Sequence, residues 1–401
     1  MNLTNSINAL LWHAGIILLL LSSLAACRNP GQAPPGPQVA RGIIHPTPEN
    51  IPDDADLADV IRIAPNASKG ETATHPLVLA PSNREVATIG VDEGGRYDMI
   101  GRVQDIAVDE TGQIYLLDSR YNEVRVYSRD GAFVQAFGGP GQGPGEFQAP
   151  RALAIASEDL ILVAEQFHSI KVFEKQKDTF VLRKTIGLDF APNDLCIMND
   201  LIYVHGLKEG NERATIHVFT LSGEHELSFG ESYKSANPSV RYALSRGGLI
   251  TCNAQAQVIA TMFQHVPILT GYTTEGALKW QTRFADFNPL LIEEVVDDHG
   301  RPGVQQHVPK PGEHVAVQLT SSTEEEIIAQ VVEIPDREKN KRPFFHTFAV
   351  SAYNGRGTYI GAAYPLIYTL TSDYFYTGSN LPFPQVKIYA RTAPLTNLSA
   401  Q

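Results

Sequence analysis

The chain has 401 residues, of which 43% are hydrophobic and 19% charged, so it can bury a sizeable core and is not a disordered chain. The net charge of −12 repels phosphate backbones and anionic lipid headgroups, which argues against nucleic acid as a partner. The three cysteines are too few for a disulfide framework and too widely spaced for a zinc or redox motif.

The first 26 residues have the features of an export signal. They contain no Asp, Glu, Lys or Arg, and residues 14–21 form an apolar run that is too short for a permanent transmembrane helix. The LAAC sequence at residues 24–27 resembles the lipobox of bacterial lipoproteins. The resemblance implies a signal peptide over 1–26, acylation of Cys27, and membrane contact through the lipid alone. An ordinary secretory signal, or an uncleaved anchor with a coincidental cysteine, is the alternative.

The position after the cysteine bears on location within the cell envelope. In lipoproteins of this kind an aspartate there indicates inner-membrane retention, whereas this chain has Arg28. The expected location is therefore the periplasmic face of the outer membrane or the cell surface. Residues 27–82 are rich in proline, including APPGP at 33–37, and predict a flexible tether that holds a folded domain away from the membrane.

A repeat begins near residue 103. Four short alternating segments joined by Asp/Gly turns extend to Phe137, and the same arrangement recurs over residues 153–186 and 195–229. The closing positions Phe137, Ile186 and Phe229 are 49 and 43 residues apart. Four strands at a period in the forties are typical of a β-propeller blade.

The later units follow the same pattern less regularly. A fourth unit covers 249–284 and a fifth covers 314–362, with an acidic insertion over 286–312. The last unit, 366–389, supplies only three strands, and Glu85–Gly90 is the simplest source of the fourth. The sequence therefore predicts an all-β monomer over residues 83–392. It is a six-bladed propeller of four-stranded antiparallel blades, whose ring closes by pairing the N-terminal strand with the C-terminal blade. Residues 393–401 form a tail.

A family resemblance covers the first blades. FGGPGQGPGEF at 137–147, followed by Pro150 and Arg151, resembles the junction between NHL repeats, and residues 106–127 match the repeat body. With its lipobox, the chain is similar to six-bladed propeller lipoproteins of bacteria. Blade 2 departs from the repeat because Ala164-Glu165 replaces its aspartate and His168 stands near the asparagine position, so no role is transferred to these residues.

Propeller ligands usually bind at the mouth of the central tunnel, where the innermost strands begin. The polar residues expected there, together with a histidine at the end of a blade 3 strand, are Gln104, Asp105, Arg151, Asn193, Asp194 and His205. They could form a ligand-binding cluster. Alternatively, the acidic and amide side chains cap turns and Arg151 is held by neighbouring backbone.

No catalytic set is evident. The sequence lacks a GxSxG elbow and a P-loop, and it has no glycine-rich loop that leads into a helix. Propeller lactonases and related hydrolases hold Ca²⁺ or another divalent cation with a ring of oxygen ligands, but the charge of Arg151 opposes a cation here. We therefore expect no cofactor, no metal site and no catalytic residue. A metal-dependent hydrolase or lyase at the tunnel mouth is the alternative.

The sequence also predicts the placement of two histidines, two cysteines and the insertion. His205 and His346 are expected at the surface of a face. Cys196 and Cys252 are expected on the innermost strands of adjacent blades as buried free thiols, with a disulfide as the alternative. The insertion over 286–312 is either a solvated charge run or a recognition loop.

The leading hypothesis is a lipid-anchored binding or scaffold propeller that recognises a protein, peptide or glycan.

Overall fold

The computed structural model describes residues 39–47, 50–63, 85–208, 213–297, 299–321, 325–336, 343–362 and 364–391. The signal peptide over 1–26, Cys27 and the tail over 393–401 lie outside these ranges, so the predictions made for them stay predictions.

Three strands precede the repeats. They are β1 (Val39–His45), β2 (Asp59–Ile61) and β3 (Glu85–Ile89). A short 3-10 turn at Asp54–Asp56 lies between the first two.

Blades 1 to 3 are built from twelve consecutive strands, which pair in sequence order as antiparallel sheets. Blade 1 comprises β4 (Val103–Val108), β5 (Ile114–Asp118), β6 (Glu123–Tyr127) and β7 (Phe133–Gly138). Blade 2 comprises β8 (Pro150–Ser157), β9 (Leu160–Glu165), β10 (Ser169–Gln176) and β11 (Thr179–Gly187). Blade 3 comprises β12 (Asp194–Met198), β13 (Leu201–His205), β14 (Ala214–Thr220) and β15 (His225–Glu231).

A helix separates blade 3 from blade 4. It is α1 (Pro238–Ser245), which begins with Asn237 as N-cap, whose side chain accepts the N–H of Ser239 at 3.0 Å. The proline at the first helical position has no N–H that would need a partner. The buried face of the helix packs against residues of blade 4 and of the insertion, including Val266, Ile268 and Ile292.

Blades 4 to 6 complete the ring. Blade 4 comprises β16 (Gly248–Asn253), β17 (Val258–Phe263), β18 (Ile268–Tyr272) and β19 (Leu278–Phe284). The insertion after it contains β20 (Ile292–Val296) and β21 (Pro302–Gln306). Blade 5 comprises β22 (His314–Ser321), β23 (Glu326–Glu333), β24 (Phe344–Ser351) and β25 (Gly357–Gly361). Blade 6 comprises β26 (Ile367–Leu370), β27 (Tyr374–Ser379) and β28 (Gln385–Ala390), with β3 as its outer strand.

Local sequence explains the individual blade. Strand β5 is buried along its whole length, and the turn before it is closed by Asp109, whose Oδ1 accepts the N–H groups of Thr111 and Gln113. Gly112 has φ of 87°, a conformation that glycine adopts without steric cost. Buried apolar side chains of neighbouring blades then pack against one another, as where the rings of Phe137 and Phe173 meet at a tilt, with centroids 4.9 Å apart.

The pairing of the chain ends is confirmed. Strand β28 of the last blade pairs antiparallel with β3, with Val386 opposite Ile89 and Ile388 opposite Ala87. The first strand of every blade contacts the first strands of its two neighbours, so these six strands surround the central tunnel. The predicted all-β ring of six blades is therefore correct.

Part of the predicted tether is ordered, which corrects the expectation for residues 27–82. Strand β1 joins β20 and β21 in a three-stranded antiparallel sheet, and β2 pairs in parallel with β19 at the outer edge of blade 4. His45 fixes β1 further, because its Nε2 lies 2.9 Å from Glu294 Oε1 and its Nδ1 lies 3.0 Å from the hydroxyl of Tyr233. These buried contacts join parts of the chain that are remote in sequence, so composition alone could not predict them.

The two cysteines of the described chain form a disulfide, which corrects the expectation of free thiols. Cys196 of β12 and Cys252 of β16 are bonded, and their Cα atoms are 5.7 Å apart. Their predicted placement on the innermost strands of adjacent blades is right. Within the described ranges, no helix has the length and apolar character required to cross a membrane.

Candidate functional site: the tunnel mouth

The six first strands begin at the same end of the tunnel, because each blade repeats the same antiparallel order from its innermost strand outward. We call this end the tunnel mouth. The residues predicted from the sequence lie there, at the beginnings of β4, β8 and β12 or opposite them.

Two of the predicted residues link blade 1 to blade 2. The side-chain amide of Gln104 donates to the carbonyl oxygen of Arg151 at 3.1 Å. The N–H of Leu153 donates to Asp105 Oδ2 at 2.8 Å, while Oδ1 accepts the N–H of Ile106, also at 2.8 Å. An amide and a carboxyl on adjacent residues thus bind one carbonyl and one N–H on the inner edge of the next blade. We call this arrangement a polar clamp.

The same polar clamp joins blade 3 to blade 4. Asn193 donates through its side-chain amide to the carbonyl of Gly248, and Asp194 Oδ2 accepts the N–H of Ile250 at 2.9 Å. Asp194 Oδ1 accepts the N–H of Leu195 at 2.8 Å. Backbone groups on the inner strand edges, which have no ladder partner, are satisfied in this way. These four predicted residues hold blades together, and their binding of a ligand stays a prediction.

The two carboxyl groups of the polar clamps, on Asp105 and Asp194, keep their protons to a higher pH than an ordinary aspartate does. Burial raises the pKa of Asp105 to about 8, and the charge of Asp194 adds to this shift. Burial likewise raises the pKa of Asp194 to about 7, against the opposing effect of its two backbone hydrogen bonds. Carboxyls that hold protons near neutral pH and already accept N–H groups are poor ligands for a hard cation.

The histidine expectation requires correction, since both His205 and His346 are buried. His205 is fully buried beside Gly248 and meets the edge of the Phe263 ring, with centroids 5.8 Å apart. Neither of its ring nitrogens has a hydrogen-bond partner among the described residues. Burial, followed by the nearby His217, lowers the pKa of His205 to about 3, so its ring is neutral.

Three arginines stand where innermost strands begin. Arg102 directly precedes β4, Arg151 is the second residue of β8, and Arg246 follows α1, two residues before β16. Only Arg151 is predicted from the sequence. A basic residue directly before a first strand is the signal that would have found Arg102. Arg246 follows a helix that interrupts the repeat and hides its register.

A cluster of two buried histidines and a partly exposed glutamate in blade 5 is the nearest approach to a metal centre in the described ranges. His314, Glu333 and His346 each offer one ligand atom, and these atoms lie within 4.8 Å of one another. His346 Nε2 is 3.1 Å from Glu333 Oε2 and its Nδ1 is 3.1 Å from the hydroxyl of Tyr359. His314 Nδ1 accepts the N–H of Asn288 at 2.9 Å, which places the ring proton on Nε2. His314 in this tautomer has no lone pair for an ion, so the cluster fits a hydrogen-bonded network better than a metal centre.

Six four-stranded blades surround a central tunnel, and polar residues stand where the innermost strands begin. This arrangement defines a six-bladed β-propeller. Residues 98–245 match the DUF5128 family model, described as a 6-bladed beta-propeller. No curated protein matches the chain.

Two solved structures are similar in fold. A member of the DUF4221 family from Bacteroides vulgatus has a TM-score of 0.52 at 11% identity, covering 77% of this chain and 97% of its own. A "Putative exported protein" from Bacteroides fragilis has a TM-score of 0.51 at 10% identity, covering 83% of this chain and 98% of its own. At these identities the similarity shows the fold alone.

Proposed function

We propose that the protein is a lipid-anchored, extracytoplasmic propeller that binds a ligand at the tunnel mouth and does not catalyse a reaction. The observation that carries the proposal is a set of polar groups left without partners at this end of the tunnel. Among the described residues, Nε and Nη2 of Arg246 and Nδ1 of His265 are buried without a hydrogen bond. Because buried polar groups are almost always paired in folded proteins, such groups favour a ligand that supplies the missing partners.

Three observations support export. The LAAC sequence at residues 24–27 is typical of acylation at Cys27. The disulfide between Cys196 and Cys252 is of a kind that persists in oxidising compartments. The similar Bacteroides fragilis protein carries an exported-protein description. We therefore propose a cell-envelope location for the mature protein, and Arg28 in place of an aspartate after Cys27 favours the outer membrane or cell surface.

The ordered strand β1 shortens the predicted tether. Cys27 and Val39 are only 12 positions apart, and the chain between them spans at most roughly 40 Å when fully extended. Strand β1 pairs with the insertion that connects blade 4 to the beginning of β22. That connection lies at the mouth end, because four antiparallel strands return the chain to the end where the blade began. An anchored protein would thus hold its tunnel mouth on the side nearer the membrane.

Anchoring is tested by expressing the full chain in a bacterial host and separating membrane from soluble fractions. The wild-type chain should remain with the membrane and carry an acyl mass at Cys27, whereas Cys27→Ala should be released. A wild-type chain found only in the cytosol would refute the proposal.

Ligand binding is tested with a panel of peptides, glycans and small organic ions, using the detergent-solubilised full chain in thermal-shift measurements. Arg151→Trp should block the mouth and abolish every shift. Arg183→Trp, on the exposed outer strand β11 of the same blade, should have no effect on binding. Ligands that bind Arg151→Trp as tightly as the wild type would exclude the tunnel mouth as the site.

A further inference from the structure

We propose that the tunnel mouth binds an oxyanion group, a carboxylate or phosphate of a small molecule, through Arg102, Arg151 and Arg246. This inference rests on the proposed function and names the chemical class of its ligand.

The fold brings the three arginines together from separate parts of the sequence. They lie at or just before the beginnings of the innermost strands β4, β8 and β16, which belong to blades 1, 2 and 4. These strands begin at the same end of the tunnel. At this end of the tunnel Arg151 is close enough to Arg102 and Arg246 for the charges of both to act on it.

Two of these arginines have no carboxylate partner. Among the described residues, neither Arg151 nor Arg246 forms an ion pair. Arg151 donates to the side-chain oxygen of Gln166 at 2.6 Å, which leaves its charge uncompensated. Arg246 lies 5.5 Å from the ring centroid of Tyr242, while its Nε and Nη2 are buried without a hydrogen bond.

Several arginines elsewhere in the described ranges are paired with carboxylates. Arg125 bonds to Glu123 at 2.7 Å inside blade 1, and Arg301 bonds to Asp297 at 2.6 Å in the insertion. A chain with net charge −12 does not lack acidic residues to place beside a cation. Within the part of the chain that the structure describes, neither Arg151 nor Arg246 has a carboxylate in ion-pair contact, which leaves room for an anion from solution.

The electrostatics agree with this placement. Burial is the main cause that lowers the pKa of Arg151, and the charges of Arg246 and Arg102 lower it further. Burial also lowers the pKa of Arg102. Arg102 and Arg246 therefore both repel the buried Arg151, and an anion bound beside Arg151 would relieve that repulsion.

The remaining titratable groups at the mouth do not supply the missing negative charge. Burial and then Arg246 lower the pKa of His265 to about 4, so this histidine is neutral and can bond to a ligand. Asp105 and Asp194 are engaged in the polar clamps, and their raised pKa values of about 8 and about 7 favour the protonated form. Tyr368, on blade 6, supplies no negative charge either, because its hydroxyl donates a hydrogen bond to the carbonyl oxygen of Val103 at 3.5 Å.

The chemistry of guanidinium indicates the ligand class. Its planar fork binds carboxylate and phosphate oxygens with two parallel hydrogen bonds, which a single ammonium group cannot do. The forks of Arg151 and Arg246, with the charge of Arg102 near Arg151, favour a multiply charged oxyanion over a chloride ion or a neutral glycan.

The test is isothermal titration calorimetry of the detergent-solubilised full chain with citrate, inorganic phosphate and sulfate, at neutral pH and fixed ionic strength. We expect saturable binding of at least one anion, and the preference for citrate or phosphate distinguishes a carboxylate-bearing from a phosphate-bearing ligand. Arg151→Gln and Arg246→Gln should each weaken binding by about tenfold or more. Arg183→Gln on the outer strand should bind as the wild type does. Absence of saturable binding up to about 10 mM, or equal affinity in all variants, overturns the inference.

A second measurement separates binding from a structural role. Without added anion and at low salt, Arg246→Gln should melt at the same temperature as the wild type or higher, because one of the repelling charges is gone. A lower melting temperature would mark Arg246 as a structural residue and would overturn the inference. If a neutral glycan or peptide binds and Arg151→Trp blocks it, the proposed function stands while the oxyanion inference fails.

Discussion

The carboxyl group of Asp105 accepts the backbone N–H of Leu153 at 2.8 Å and thereby joins the first strands of two blades that share no ladder of hydrogen bonds. Asp194 makes the equivalent contact to Ile250, two blades further on. The ring is thus held together at the tunnel by side chains that occupy the inner strand edges, as well as by apolar packing between blades.

The clamp predicts a loss of stability in Asp105→Ala. The substitution leaves the N–H of Leu153 without its acceptor, and we expect the free energy of unfolding to fall by about 1–3 kcal/mol at about pH 4, where the carboxyl carries little ionisation penalty. Urea denaturation followed by circular dichroism measures this loss. Asp92→Ala, in an exposed turn before blade 1, is the matched control and should change stability little. Equal effects of the two substitutions would contradict a clamp.

The raised pKa values predict how stability depends on pH. An unfolded aspartate releases its proton near pH 3.8, whereas folded Asp105 and Asp194 retain theirs to about 8 and about 7. The folded state therefore binds more protons between these limits, and stability should fall as pH rises from about 4 to about 8. The slope is at most about 1.4 kcal/mol per pH unit for each carboxyl.

Asp105→Asn tests the origin of that slope. The neutral side chain cannot ionise, so the unfolding free energy of the variant should vary less steeply with pH than that of the wild type. Urea titrations of both proteins at several pH values give the comparison. Parallel curves would show that Asp105 does not titrate in this range.

The disulfide predicts a second stability effect. Cys196 and Cys252 close a loop across 56 positions of sequence, and replacing both with alanine should lower the free energy of unfolding by about 2–4 kcal/mol. Urea denaturation without reductant gives the value. In a Cys27→Ala background, thiol titration of the denatured, unreduced protein should find no free thiol; two free thiols would refute the disulfide.

Substitution of His205 is expected to preserve or raise the stability of the fold, in contrast to the losses predicted above. Because its buried ring nitrogens have no partner among the described residues, His205→Leu should be neutral or stabilise the fold by up to about 1 kcal/mol. His217→Leu is the comparison, since His217 Nδ1 lies 2.8 Å from the hydroxyl of Ser228, and this substitution should destabilise. A loss above about 2 kcal/mol in His205→Leu would reveal a polar partner, such as a buried water molecule.

Blade architecture could be predicted because it depends on local patterns. Alternating apolar residues and Asp/Gly turns fix each strand and its neighbours within about 40 residues, as in the turn closed by Asp109 before β5. The pairing of β3 with β28 could also be predicted, since a three-stranded last blade leaves an open edge that only the other end of the domain can fill.

The candidate site could be predicted only in part. Gln104, Asp105, Asn193 and Asp194 stand at repeating strand entries, so the sequence located them but did not show that their polar atoms bind the next blade. Arg246 was missed because α1 interrupts the repeat ahead of blade 4.

The sequence by itself determined the six-bladed ring, its closure and the positions of its strand entries, because these follow from periodic patterns read over short distances. Only the tertiary structure decided which distant residues meet. It joined His45 to Glu294 across 249 positions, bonded Cys196 to Cys252, and brought the arginines of three blades to one end of the tunnel. Contacts of this kind leave no period in the sequence, since they depend on how each blade is rotated and packed against the next.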